Sequence, residues 1–326
     1  MRQGWLFGLC CGLGAVLLLA LAELAPATAL LVYAIPMGPF LAGLMAGTGP
    51  ALVAALVFLL AAVTFAPASG AILFVALALP AVLLSWQALQ SPPQGQVGPG
   101  FGPAQGNVAA APKWMKPGPL LGSLAAGGAA IGLAAQIAIG SQEEAATRFL
   151  MAQMAPLTEA GAGGGAQLDR EQLQALVEGS LRAAPLGVGI LWVLVMTVNG
   201  VLAQAIATSL GRSQRPTPAY RQVQVPGWVL YGMGGGLLLG LAPEPLGQLG
   251  TIVGIVLATA YLMQGLALVH AFARRTGSGR WLLVPFYILF LVVGPLMPFA
   301  VVVLGLVEDH VRYRDREGGP VGKEDE

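Results

Sequence analysis

Charge is what this chain has least of. Lys, Arg, Asp and Glu make up 10% of its 326 residues while 56% are hydrophobic. Soluble domains carry about 25% charged residues, so a soluble core protein is excluded. Cysteine is almost missing: Cys10 and Cys11 are adjacent and cannot staple distant elements, which excludes an intrachain disulfide framework. The two histidines, His270 and His310, lie in different segments with no cysteine nearby, which argues against a zinc site. A net charge of +1 supplies no basic surface for nucleic acid. No Ser/His/Asp, Cys/His or His-Glu-x-x-His arrangement occurs, and no paired carboxylates lie inside the apolar runs. Such groups mark hydrolases and proton relays. The expectation is a protein that is not an enzyme and holds no metal or cofactor.

What remains is apolar and long. Runs occupy roughly 4–22, 28–46, 50–66, 70–89, 119–139, 186–210, 227–242, 248–272 and 281–307. About 20 apolar residues suffice to cross a bilayer, and in lipid each segment must satisfy its own backbone, which selects helices. The fold class is therefore all-α, a polytopic transmembrane bundle of nine or ten membrane helices in contact with the lipid bilayer. Met1-Arg2-Gln3 and Ala20-Leu21-Ala22 imitate a cleavable signal peptide. The dense spans that follow read better with the first helix retained.

Two segments interrupt this pattern. Residues 90–118 form a Pro/Gly-rich linker, a composition that builds no core. The linker separates an N-terminal four-helix half, 1–89, from a C-terminal membrane half, 119–313. Residues 141–184 are the one large polar insertion in that second half. Ser141 with Glu144, and Asp169 with Gln172, have capping-box spacing. Leu173, Leu176, Val177 and Leu181 form an apolar stripe. These signals predict two short amphipathic helices lying on the membrane surface or on the bundle. The alternative is a solvated loop with one docking face.

Lys and Arg in short loops set orientation. Lys113 and Lys116, then Arg212, Arg215 and Arg221, then Arg274, Arg275 and Arg280 all fall on one side when the N-terminus is inside. Glu23, Glu244 and the insertion fall outside. The expected location is a bacterial inner membrane, multi-pass, with a cytoplasmic N-terminus. Arg312, Arg314 and Arg316 follow the last run, and one span would put them outside. Gly294-Pro295-Leu296-Met297-Pro298 breaks a helix. That allows arms at 281–294 and 298–313 and a charged tail, 314–326, returned to the cytoplasm. Fourteen residues reach only about 21 Å, so the alternative is a single kinked span with an external tail.

Few groups remain that could hold a ligand. Asn199 sits mid-run, with Gln136, Gln204 and Gln264 nearer helix ends. Thr197, Gln204 and Thr208 share one face. Intramembrane amides bond other helices or line a cavity. Asn199, Gln136 and Gln204 are the candidate ligand residues. Gly38, Gly43 and Gly47, and later Gly234 and Gly236, supply small surfaces for helix packing or for a partner subunit. The Gly232–Gly240 cluster has no strand before it and no Lys-Ser/Thr after it, so it is no phosphate loop. Glu308, Asp309 and His310 are the densest titratable cluster. They read as an interfacial helix end with arginines one turn away, or as a cation-linked site.

The stretch Tyr33-Ala34-Ile35-Pro36-Met37-Gly38-Pro39, continuing to Ala51, resembles the YybS-like bacterial membrane proteins of the DUF2232 family. So do Arg215-Pro216-Thr217-Pro218, Val225-Pro226-Gly227-Trp228 and Leu304-Gly305-Leu306-Val307-Glu308-Asp309. The linker and the acidic insertion depart from that pattern. The family is distantly similar to the S components of energy-coupling-factor vitamin transporters. The resemblance implies a small-solute-binding transporter component with an externally placed pocket, and small-residue helices facing another membrane subunit. No S-component binding residue carries over to a numbered position. The second expectation is a membrane scaffold or assembly factor with no ligand.

Overall fold

The computed structural model describes residues 2–65, 67–90, 114–159, 170–218, 223–275, 279–294 and 296–311. Among them there are helices and no strands. Seven helical stretches are long and apolar enough to cross a membrane, and three shorter apolar helices, Gly227–Leu239, Trp281–Val292 and Leu296–Glu308, accompany them. The chain is a polytopic helical membrane protein.

The helices are α1 (Arg2–Leu24), α2 (Met37–Ala46), α3 (Thr48–Phe65), α4 (Pro67–Leu73), α5 (Leu79–Leu89), α6 (Pro117–Ser141), α7 (Glu143–Glu159), α8 (Arg170–Ser209), α9 (Gly227–Leu239), α10 (Leu246–Arg275), α11 (Gly279–Val292) and α12 (Leu296–Val311). A 3₁₀ segment, Pro26–Ala34, leads into α2, and a π turn, Phe74–Ala78, joins α4 to α5. That turn precedes Pro80, whose missing N–H and bulky ring disturb the preceding α-helical turn. Gly47 separates α2 from α3 at φ 99°, in the left-handed region that favours glycine. Pro50 follows in the first turn of α3, where a missing N–H costs nothing.

The chain forms two compact units. The first comprises Met1–Leu124, Leu194–Pro226 and Ala260–Glu326; the second comprises Ala125–Val193 and Gly227–Thr259. The linker begins and ends at one place, because the Met115 N–H donates to the Gln90 carbonyl at 3.0 Å. In the first unit α1 lies against α3 through glycines four residues apart. A Cβ on Gly12 would lie 2.7 Å from the Ala54 carbonyl oxygen, and one on Gly8 would overlap that of Pro50. In the second unit Gly128 and Gly189 bring α6 and α8 together: a Cβ on either would lie within 2.9 Å of the other's carbonyl oxygen. Gly236 meets Gly250 and Gly254 where α9 crosses α10. Small residues allow such backbone contact in membranes, where apolar burial gives helices little preference for one another over lipid.

The polar insertion differs from expectation at its first cap. Ser141 ends α6 instead of opening α7, its hydroxyl donating to the Ala138 carbonyl at 2.8 Å. Asp169 lies outside the described residues. The second amphipathic segment is no separate helix but the first part of α8, a continuous helix of 40 residues with Pro185 inside it. Ala183 and Ala184 favour helix right up to the proline, and an interior proline is tolerated where neighbours re-satisfy the backbone. Leu173 and Val177 are buried while Leu176 is exposed, so the stripe is narrower than its sequence period suggests.

The last apolar run is two helices, α11 and α12, with Gly294 at φ 64° between them. Arg312, Arg314 and Arg316, the tail 314–326, residues 91–113 of the linker with Lys113, and Arg221 lie outside the described residues. So do the side chains of Asp309 and His310. Glu308 is buried.

Candidate functional site

The first unit contains a cavity of about 120 Å³. Its walls come from α2, α5, the start of α6, the second half of α8 and the segment after α8. Phe40, Leu84, Leu121, Leu124 and Met196 give it an apolar interior, and Ser85, Thr197, Gln204 and Arg215 are its polar groups. Gly200 opens the space: a Cβ there would rest in ordinary contact with the Phe40 ring, at 3.6 Å or more.

One end of the cavity is built by hydrogen bonds around Gln204. Gly211, at φ 64°, turns the chain out of α8. The Gln204 amide donates to Ser213 Oγ at 2.9 Å and lies 3.2 Å from Thr208 Oγ1 and 3.3 Å from the Arg215 carbonyl oxygen. Ser213 Oγ donates to that same carbonyl at 2.6 Å. The Gln214 N–H donates to the Leu44 carbonyl at 2.9 Å, which ties the segment to the end of α2. Arg215 Nη1 donates to the Ala88 carbonyl at 3.0 Å, near the end of α5. Gln204 and Arg215 are each only 5% exposed. An arginine keeps its charge when buried, so placing one here demands a fixed polar surround. On its outer side Arg215 also lines an open groove of about 380 Å³, together with Thr208, Gly211, Ser213, Gln214, Pro216 and Thr217.

The three candidate ligand amides have different fates. Gln204 lies on the cavity wall. Asn199 is buried, and its Nδ2 donates to the Tyr33 and Val195 carbonyls, both at 2.8 Å. Gln136 belongs to the second unit, where its Oε1 accepts from Gln248 Nε2 at 2.7 Å. Gln248 also donates to the Arg182 carbonyl at 3.1 Å. Gln264 is fully buried and joins the Val225 N–H to the Gly305 carbonyl. Of the candidate glycines, Gly38 faces the Cys11 carbonyl oxygen, 2.6 Å from a built Cβ, and Gly43 faces Ser85. Gly47 makes the α2–α3 turn near Gln214, Gly236 meets α10, and Gly234 faces open space.

Arg215 is the residue that sequence reasoning placed differently, as one loop cation among three. Its setting between Gln214 and Pro216-Thr217-Pro218 was the available signal, since prolines fix a loop that solvated arginines do not need. Among the described residues no group of three His, Cys, Asp or Glu could hold a metal ion.

The helix-bound state of Asn199 carries a prediction. Asn199→Ala will lower stability by about 0.6–1.7 kcal/mol, the range for interhelical side-chain bonds in membranes. It will leave retention of any cavity ligand unchanged. Thermal unfolding in detergent alongside a binding measurement checks both.

Comparison with curated proteins gives no match, and comparison with solved structures gives none. A family model, described as predicted membrane protein (DUF2232), matches residues 120–308. That range holds Gln204, Arg215 and Gln264, whereas the resembling stretch Tyr33 to Ala51 precedes it. The match covers more than half of the sequence, and the chain belongs to the DUF2232 family of membrane proteins.

Proposed function

We propose that this protein is a non-enzymatic, ligand-binding component of transporter type, and that the cavity bounded by Gln204 and Arg215 is where it binds. The observation that carries the reading is a buried arginine and amide, held by named partners, on the wall of a cavity in a membrane bundle. A buried charge is costly unless fixed partners hold it, and such groups are functional-site candidates. The absence of paired carboxylates from the apolar runs supports binding over catalysis.

The cavity limits what binds. Sites for drug-sized ligands occupy about 300–1,000 Å³, against about 120 Å³ here. A whole vitamin does not fit, so the ligand is smaller or enters only in part. The end of α5, the start of α6 and the end of α8 meet at the cavity beside Lys116, Arg212 and Arg215. The positive-inside rule assigns that end to the cytoplasm, with the N-terminus inside a bacterial inner membrane. The S-component likeness leads to the opposite expectation, a pocket at the external end.

A second reading, a scaffold without ligand, is favoured by Asn199 and Gln136, whose amides bond other parts of the bundle. Purification in mild detergent separates the two. Under the first reading a small molecule is extracted from the wild type and is lost from Gly200→Leu, which fills the cavity. Under the second, neither protein carries a stoichiometric compound and only partner proteins are recovered.

A further inference from the structure

We propose that the occupant is an anionic phospholipid of the surrounding bilayer. Part of one acyl chain enters the apolar cavity and the headgroup lies in the groove on the far side of Arg215. This rests on the reading of the cavity as a ligand site and names the chemical class that site takes.

The mouth of the cavity argues for a lipid over a water-soluble compound. Thr197 and Gly200 are half-buried on the wall, and Val201 is 39% exposed. These residues lie within the apolar run of α8, in a stretch long and apolar enough to cross a membrane. Leu120 and Leu121, half-buried on α6, line the same space. An opening at that depth faces hydrocarbon, from which acyl chains enter and polar solutes are excluded. The interior suits a chain. An apolar cavity of about 150 Å³ stays dry and admits benzene, and about 120 Å³ accommodates a short stretch of chain.

Polarity changes along the site in the direction an amphiphile requires. Phe40 and Met196 lie a turn or more along α2 and α8 from Leu44 and Gly200, away from the loop. Gln204 and Arg215 form the loop end, and Arg215 is shared by the cavity and the groove. The groove is lined by Thr208, Ser213, Gln214, Arg215 and Thr217, all polar residues, with Gly211 and Pro216. Two further cations adjoin the site in sequence: Arg212 lies between Gly211 and Ser213 of the groove, and Lys116 precedes Pro117 of the cavity wall. Both are exposed. Basic pockets among transmembrane helices near the cytoplasmic face bind anionic headgroups. An apolar cavity, a polar groove and clustered positive charge at one membrane end complement a phospholipid in all three respects.

The test titrates the delipidated full-length protein with phosphatidylglycerol and phosphatidylcholine of identical chains, reading bound lipid by native mass spectrometry. The wild type is expected to retain phosphatidylglycerol well over tenfold better. Arg212→Gln and Lys116→Gln should each narrow that gap by roughly fivefold, from about one charge interaction near a membrane surface. Gly200→Leu should weaken both lipids together by an order of magnitude or more, because it blocks the chain. Val201→Phe, at a lipid-exposed position that tolerates bulk, should do the same by closing the mouth. Equal retention of both lipids, or no response to either cavity variant, overturns the lipid assignment. If the compound extracted from the wild type is water-soluble and is lost from Gly200→Leu, the assignment falls but the ligand site stands. If neither lipid nor compound depends on Gly200, both readings fall.

Discussion

Gln264→Leu will destabilise the protein by about 2–4 kcal/mol, the largest single-residue effect expected outside the cavity. Gln264 is 0% exposed. Its Oε1 accepts from the Val225 N–H at 2.8 Å and its Nε2 donates to the Gly305 carbonyl at 2.9 Å. One amide therefore satisfies one donor and one acceptor from two distant parts of the first unit. Leucine keeps the bulk but strands both groups, and each unsatisfied buried group costs about 1–3 kcal/mol. Relaxation cannot easily repair the loss. The same crossing is closed by glycines: a Cβ on Gly265 would overlap the Val301 carbonyl oxygen and one on Gly305 that of Tyr261. Gln264→Met will not rescue, because its thioether neither replaces the acceptor for Val225 nor donates to Gly305. Denaturant or thermal unfolding in detergent reads the effect, and a change below 1 kcal/mol would refute the two-ended role of the amide.

Arg215→Ala is expected to remove ligand retention at least tenfold and to lower stability by about 2–3 kcal/mol. The stability loss follows from the charge-assisted bond to the Ala88 carbonyl, since hydrogen bonds to charged groups are worth about 1.5–3 kcal/mol. The binding loss follows from its place on both the cavity and the groove. Arg215→Lys separates the contributions. Lysine keeps the charge but not the planar fork of donors, so it should recover part of the binding and little of the stability. Equal loss of both in Arg215→Lys and Arg215→Ala would make the residue structural only. An intact ligand in Arg215→Ala would remove it from the site.

Most of the architecture is legible in the sequence because lipid leaves few choices. An apolar run of span length must be a helix, and Gly294-Pro295 marks the break that the structure places between α11 and α12. The continuity of α8 is harder to read. Pro185 stands where a helix start is expected, yet the helix runs through it. Helical period explains the contrast between Gly234 and Gly236. Gly236 lies four residues from Gly232 on the face that meets α10, whereas Gly234 falls between them and faces open space. Gly4, Gly8 and Gly12 carry the same spacing of four along α1. Asn199, Gln136 and Gln204 are equivalent as letters, and only tertiary placement separates helix bonding from cavity lining. Arg215 is the extreme case. In sequence it is a loop cation beside prolines, and its burial depends on α2, α5 and α8 arriving together around it.

The Gln204–Arg215 cavity is proposed as an occupied ligand site. A cryo-EM map of the protein in nanodiscs containing phosphatidylglycerol tests that proposal most directly, at a resolution that shows individual annular lipids. Elongated density is expected to run from the groove at Ser213 and Thr217, past Arg215, into the space between Phe40 and Met196. Loss of that density is expected in Gly200→Leu. A cavity empty of density in the wild type, with annular lipids well resolved around the same helices, would contradict the proposal.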